Sequence, residues 1–529
     1  MASRRNELSA YTFARRRTVA AFLQPSGGGN VDDAPKALRA VVPSLVLGAV
    51  AIAAFGAYGM LKPSAPKGWQ SANDVIVDKE TTTRYVMLGG QLHPVLNIAS
   101  ARLLLSGNSG VEYIEDSALN APGVSHGVTV GIPYAPDSLP SATDAATPKT
   151  WAACERSDAT SGDPIAQKLF VLGGSEAGTV GGQGRLNPHQ ALYVQTPENS
   201  YLVDSSGVAH QLVANGAGSE QTLADAAFGL SYGKPQQVTD TWLQTLQLGD
   251  SISLPSGDIP GYGSPYTGAS IGDQGAKIGD LLQAKDPSGN VMNYVLLQDG
   301  PHRISDFARG LVAALHNSTQ EQSVGQFDMA GANQAAPFES TKNWPQDSVT
   351  QVNNGGESSS AMAACAVYGG SMGQSGAQLG VWVGQNFPVN KNSGSAGVYV
   401  TPGTGMLLQS VSGQGGSGQV YLLTDTGLRY PVQMNSDGTS GSTSSSTSGS
   451  TSGGQSGSNG GASGGSSGSS GGAAGGAAGA GADPSQSDTA AARLGYGQVQ
   501  PLPVPGSFAG MVPSGPALSK DAAQTPQGS

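Results

Sequence analysis

Tyr85-Val-Met-Leu-Gly-Gly-Gln-Leu-His-Pro-Val95, followed by Asn97-Ile-Ala-Ser-Ala-Arg-Leu-Leu-Leu105, reads as an aromatic-led strand, a tight turn, a second strand and a short helix. The unit recurs. A second copy runs Tyr201-Leu-Val-Asp-Ser-Ser-Gly-Val-Ala-His-Gln-Leu212, with a helix expected from Gln221 to Leu230. A third runs Tyr294-Val-Leu-Leu-Gln-Asp-Gly-Pro-His-Arg-Ile304. Its helix starts at Ser305, a good N-cap, and places Phe307, Leu311 and Leu315 on one stripe. The fourth is Tyr421-Leu-Leu-Thr-Asp-Thr-Gly-Leu-Arg-Tyr-Pro-Val432. Gly or Asp-x-Gly supplies each reversal, and the strands alternate well enough to bury one face against the helix. A lone hairpin with a helix has little core of its own, so each unit must lean on a neighbour.

The fourth copy is interrupted by residues 435–482, almost wholly Gly, Ser, Thr and Ala, which cannot bury enough apolar surface to order themselves. As a flexible coil this tract would average roughly 35–40 Å end to end. Order is expected to resume at Ser487, because Leu494-Gly-Tyr496-Gly497 repeats Leu230-Ser-Tyr232-Gly233 at the end of the second helix. The tract is therefore a loop inserted within a repeat, and closure entropy grows only logarithmically with its length.

Two cysteines occur, Cys154 and Cys365, each expected just before a strand, 169–172 and 366–368 respectively. Outside the cytoplasm such a pair favours one disulfide, closing a loop that the chain-entropy model values at about 5 kcal/mol. A metal or redox role would need clustered ligands or Cys-x-x-Cys, and neither is present. The expected organisation is α+β. It comprises a basic head (1–39), a transmembrane helix (40–61), repeat 1 (62–147), a central β-rich core in two parts (148–190 and 335–412), repeat 2 (191–260), repeat 3 (261–334) and repeat 4 (413–529).

Residues Ala40 to Leu61 run 22 positions without a charge, about 33 Å of helix and enough to cross a bilayer core. The run is too long, and its head too long, for a cleaved secretory signal. Gly48, Gly56 and Gly59 offer a small-residue packing face. The chain through Lys62 sums to +5 against −11 overall, leaving −16 beyond it. That asymmetry predicts a cytoplasmic N-terminus and an exported body. An acidic exported body argues against nucleic acid or an anionic membrane surface as its main ligand. In the head, Tyr11 to Leu23 reads as a short amphipathic helix, with Arg15, Arg16 and Arg17 as a cationic band beside apolar Phe13 and Phe22. It would lie on the anionic inner leaflet or dock on a partner there.

No catalytic residues stand out. Gly413-Gln-Gly415-Gly-Ser-Gly418 leads into a strand and not a helix N-terminus, and Gly461-Ala-Ser463-Gly-Gly465 matches a nucleophile elbow only through low complexity. No G-x-x-x-x-G-K-[ST] loop exists, since Gly229 to Lys234 is spaced wrongly and runs into Pro235. The six histidines are scattered, but His93 and His302 follow equivalent turns, with His210 close to the same place, which predicts a repeat-derived structural role. No metal or other cofactor is expected.

Taken together, the Tyr11…Arg15-Arg16-Arg17…Ala20 head, the single span, Gly68-Trp69, Leu92-His-Pro-Val-Leu-Asn97-Ile-Ala-Ser100-Ala101-Arg102-Leu103, the two cysteines, Leu494-Gly-Tyr496-Gly497 and Val512-Pro-Ser-Gly-Pro516 resemble EccB. EccB is a membrane component of the actinobacterial type VII (ESX) secretion system. The resemblance spans the chain apart from the Gly/Ser tract. It implies an elongated extracytoplasmic body of four repeats around a disulfide-bearing core. It also implies self-association in a homo-oligomer and assembly with an EccC-like motor ATPase and EccD-like and EccE-like membrane subunits. Members have been described as ATPases, so ATP enters by family description alone, against the missing Walker A loop. The other classes left open are a weak nucleotide hydrolase, a wall-remodelling enzyme and a cell-wall-binding module.

Overall fold

The structure is a computed structural model. It describes all residues except 1–3, 24–37, 62–64, 72, 107–108, 158–164, 215–218, 256, 269–270, 272–274, 316–321, 326–334, 355–361, 375, 391–396, 413–417, 434–488 and 528–529. The side chains of 23, 38–40 and 57–61 are likewise not described. The Gly/Ser tract and the glycine-rich matches at 413–418 and 461–465 thus lie wholly or mostly outside the described residues. The architecture is mixed α+β, with several sheets and one disulfide, and divides into two units: Met1–Trp69 with Tyr113–Pro122, and Gln70–Glu112 with Gly123–Ser529.

The first unit holds helices Arg4–Leu23 and Leu38–Leu61, the latter with Pro43 inside it, where the ring removes one backbone hydrogen bond of the helix. The head helix begins earlier than the sequence suggested. Its arginines also form no band, because consecutive residues turn by about 100° and Arg15, Arg16 and Arg17 therefore circle the helix. Leu8, Tyr11, Val19 and Phe22 share one exposed face, and Arg15 falls within it. Among the described residues no helix is long and apolar enough to cross a membrane. The stretch 41–56, over which side chains are described, rises about 24 Å, less than a hydrocarbon core.

The second unit corrects the expected two-stranded repeat. Each copy is a three-stranded antiparallel meander followed by a helix and short parallel return strands. In the third copy Leu281–Lys285, Val291–Leu297 and Gly300–Arg303 precede helix Asp306–Leu315, and Gln322–Ser323 returns parallel to the first strand. In the fourth, Met406–Val411, Val420–Leu423 and Arg429–Pro431 precede helix Ala490–Arg493, and Leu502–Pro505 returns alongside the first strand. Met406–Val411 thus belongs to the fourth sheet and not to the central core. The second copy has the same plan in Gln190–Gln195, Ser200–Val203, Val208–Gln211 and helix Glu220–Phe228. The first has it in Val75–Asp78, Arg84–Leu88, Gln91–Val95 and helix Ile98–Leu104. At the tight turns Gly207 (φ +80°) and Gly427 (φ +77°) hold left-handed conformations that a side chain resists.

All four helices start on a short polar side chain, as helix ends with orphan N–H groups require. Asn97, Ser219, Ser305 and Thr489 accept hydrogen bonds from the N–H groups of Ser100, Thr222, Ala308 and Ala492, at 2.9–3.2 Å. The repeats then pair. Copies one and four share a core through Val86, Leu103, Leu422, Leu494 and Tyr496, while two and three share another through Leu202, Leu223, Val295, Phe307 and Leu311.

The central sheet has the order 376–384, 363–373, 150–157, 165–172, 398–400. The cysteines lie inside strands Thr150–Ser157 and Ala363–Gly373, not before them, and face each other directly in the antiparallel register. They form a disulfide with Cα atoms 4.0 Å apart, both fully buried. Trp242 Nε1 donates to the Ala153 carbonyl at 3.0 Å, and Tyr368 hydroxyl donates to that of Pro503 at 2.7 Å. These bonds fasten the sheet to the second and fourth repeats.

Candidate functional site

The recurrent histidines fall on the third strand of their meanders, opposite Val86, Leu202 and Val295. Their Nδ1 atoms meet backbone carbonyls of the later, returning segment: His93 to Val128 at 2.9 Å, His210 to Asp250 at 2.9 Å and His302 to Ala336 at 2.8 Å. In the fourth copy Tyr430 takes the place, opposite Leu422. A glycine lies where the ring passes. A Cβ on Gly127 would collide with His93, one on Gly515 with Tyr430, and one on Gly249 would sit 2.7 Å from His210. The histidines are therefore clamps between strand and return segment.

The groups with shifted acidity are also held by local structure. Burial pushes Glu155 up, against hydrogen bonds from Thr239 N–H (2.8 Å), Thr239 hydroxyl and Gln167 amide (2.9 Å) that pull it back. That carboxylate ties the central sheet to the cap of helix Asp240–Leu243. Burial would raise Asp204, but His210, Ser206 and the Val208 N–H hold it below the usual carboxylate range. Burial pushes Tyr368 up to about 12 and raises Tyr496, whose hydroxyl donates to the Pro140 carbonyl at 2.7 Å. Among the described residues no group of three or more His, Cys, Asp or Glu side chains is placed to hold a metal ion.

The residues expected at interfaces are on the first unit. Phe13 and Phe22 are exposed on the head helix, as are Arg15, Arg16 and Arg17. A Cβ added at Gly48 or Gly56 would meet nothing within 4 Å, so both leave an open helix surface. Gly59 continues the same helix, beyond the positions described in full.

Sequence reasoning missed an arginine pair that joins the first and fourth repeats. Arg493 Nη1 donates to the Leu103 and Leu105 carbonyls at 3.3 and 2.5 Å, capping the C-terminal end of helix Ile98–Leu104. Arg102 Nη1 returns the favour to the Leu494 carbonyl at 3.2 Å, just past helix Ala490–Arg493. Each guanidinium satisfies carbonyls left without an intrahelical partner, at the negative end of the other helix. Both arginines sit within a helix-end motif that the sequence did show, but their pairing spans most of the chain.

The family described as "Type VII secretion system ESX-1, transport TM domain B" matches residues 1–528. A Mycobacterium tuberculosis relative named "ESX-3 secretion system ATPase EccB3" is 25% identical over 467 residues, covering 83% of this chain and 82% of its own. Another from the same organism, "ESX-2 secretion system ATPase EccB2", is 29% identical over 325 residues, 60% of each chain. Among solved structures, a chain of the "EccB3 dimer from the ESX-3 core complex" has TM-score 0.57 and 22% identity, covering 85% of this chain and 100% of that one. A chain of an "intact ESX-5 inner membrane complex" has TM-score 0.58 and 18% identity over 100% of this chain and 96% of that one. At these identities the likeness shows a shared fold. With the family matched from end to end, the chain belongs to the EccB family of type VII secretion components.

Proposed function

We propose that this chain is a membrane-anchored structural subunit of a type VII secretion complex and performs no chemistry of its own. The observation that carries this reading is the end-to-end family match, over residues 1–528. Anchoring by a single span is supported by the 22 uncharged residues from Ala40 to Leu61, within a helix of 24 residues and about 36 Å. The basic excess before it favours a cytoplasmic head and an extracytoplasmic body. The organisation we propose is a head (1–39), a span (40–61), four repeats and a central core bearing the disulfide.

The head, through Phe13, Arg15, Arg16, Arg17 and Phe22, and the glycine face at Gly48, Gly56 and Gly59 would bind EccC-like, EccD-like and EccE-like subunits. The body would associate with further copies, as the solved relative described as a dimer does. A second reading, enzyme, is favoured by the word ATPase in the relatives' names. Against it stands the absence of a Walker A loop, the G-x-x-x-x-G-K-[ST] pattern that cradles phosphates, from the sequence. Purified full-length protein incubated with ATP should show no turnover above background. Turnover abolished by one point substitution would establish the enzyme reading instead.

A further inference from the structure

The two repeat pairs differ at one place. Aligned on their caps, helices Ile98–Leu104 and Asp306–Leu315 put Ala99, Ser100, Leu103 and Leu104 level with Phe307, Ala308, Leu311 and Val312, all buried. That register sets Arg102 level with Gly310. The other two helices differ in length and are matched at their C-terminal ends, where Leu494-Gly-Tyr496-Gly497 corresponds to Leu230-Ser-Tyr232-Gly233 and sets Arg493 level with Gly229. Both arginines that seal the first pair are therefore glycines in the second. Arg309, one position along, turns back to Asp306 instead, at 3.9 Å.

A groove of about 750 Å³ lies between helices Glu220–Phe228 and Asp306–Leu315, with Gly229 and Gly310 in its lining; a Cβ at Gly229 would meet nothing within 4 Å, whereas one at Gly310 would sit 3.1 Å from the Ala226 carbonyl, where the helices approach. Small and apolar side chains such as Ala226, Ala313 and Ala314 line it further, and Asp225 and Asp306 bring two carboxylates against one guanidinium, Arg309. Gly229 leaves the helix with φ +76°, turning Leu230 outward to 91% exposure at the groove. Its counterpart Leu494 is fully buried. An apolar trough with a net negative lining, where the same fold elsewhere holds two guanidinium groups, specifies its complement.

We propose that this groove takes an arginine-bearing, otherwise apolar segment of a partner protein, whose guanidinium enters from outside as Arg102 and Arg493 enter from within. Leu230 would be covered by the apolar part of that segment, and Asp225 with Asp306 would favour its charge. The proposal stands apart from the secretion-complex reading, because it rests on the groove alone.

A fluorescein-labelled peptide with the sequence of residues 489–497, Thr-Ala-Ala-Ala-Arg-Leu-Gly-Tyr-Gly, is the probe. It is titrated by anisotropy against the full chain in lipid nanodiscs. We expect saturable binding that weakens at least about fivefold when the peptide's arginine is replaced by neutral citrulline. The Leu230→Ser variant should show a similar loss at unchanged melting temperature, since this side chain lies in solvent. Equal binding of the citrulline peptide, or no saturation by about 1 mM, would overturn the proposal. So would peptide binding unaffected by Leu230→Ser while that variant loses self-association, because the groove would then be covered by a second copy.

Discussion

The pair formed by the first and fourth repeats and the pair formed by the second and third share one plan: meander, capped helix, and helix packed on helix. They differ in what finishes the helix ends. In one, two arginines cross over and cap each other's helices, and Leu494 and Tyr496 are sealed in. In the other, glycines stand level with those arginines and Leu230 is left in solvent. A duplicated fold can thus keep one copy of a surface for its own cohesion and leave the other exposed.

That comparison can be broken from the centre outward. Replacing Cys154 and Cys365 together by Ser should cost about 2–5 kcal/mol and loosen both pairs alike, since the bridged sheet is bonded to repeats two and four. Denaturant melts would measure it, and an unchanged midpoint would show the bridge to be dispensable. Arg493→Met should cost about 2–3 kcal/mol, by stripping charged hydrogen bonds from buried carbonyls. Its signature is local: hydrogen exchange should quicken in helix Ile98–Leu104 and not in helix Asp306–Leu315. Equal quickening in both helices would mean that the pairs are not independent.

Gly127→Ala and Gly249→Ala should each cost about 1–3 kcal/mol, one in each pair, because the new methyl group meets His93 or His210. A neutral result at either site would show that the clamp yields easily.

The smallest effect concerns pH. The Glu155 carboxyl is raised in the fold by burial, so its contribution to stability is full below its unfolded value, about 4.3, and is lost as pH rises through the folded value. Glu155→Gln should remove that slope from a plot of melting temperature between pH 4 and 7. A slope identical to the parent's would place the titration elsewhere.

Much of the body was legible where local chemistry sets local structure. Asp-x-Gly turns marked the hairpins, Ser305 marked a helix start, and the repeating histidine announced a structural role that the Nδ1-to-carbonyl bonds explain. The first strand of each meander was missed because Val75–Asp78 is buried throughout, Gln190–Gln195 nearly so, and neither shows a period of two. The return strands were missed because several, such as Gln322–Ser323 and Gln247–Leu248, pair over only two residues. The head helix was misread because three adjacent arginines suggest a patch in a sequence but spread round a helix. The groove was invisible for a different reason: it is defined by side chains that are absent, Gly229 and Gly310, against arginines in a distant copy.

Purification from native membranes in mild detergent, with the mass of whatever comes along, decides whether the chain is a structural member of a larger membrane assembly. One high-mass complex is expected, containing several copies of the chain, a motor ATPase and other membrane subunits, all lost together when Gly48, Gly56 and Gly59 are replaced by Leu. Recovery of the chain alone, in full yield and with ATP turnover of its own, would contradict it.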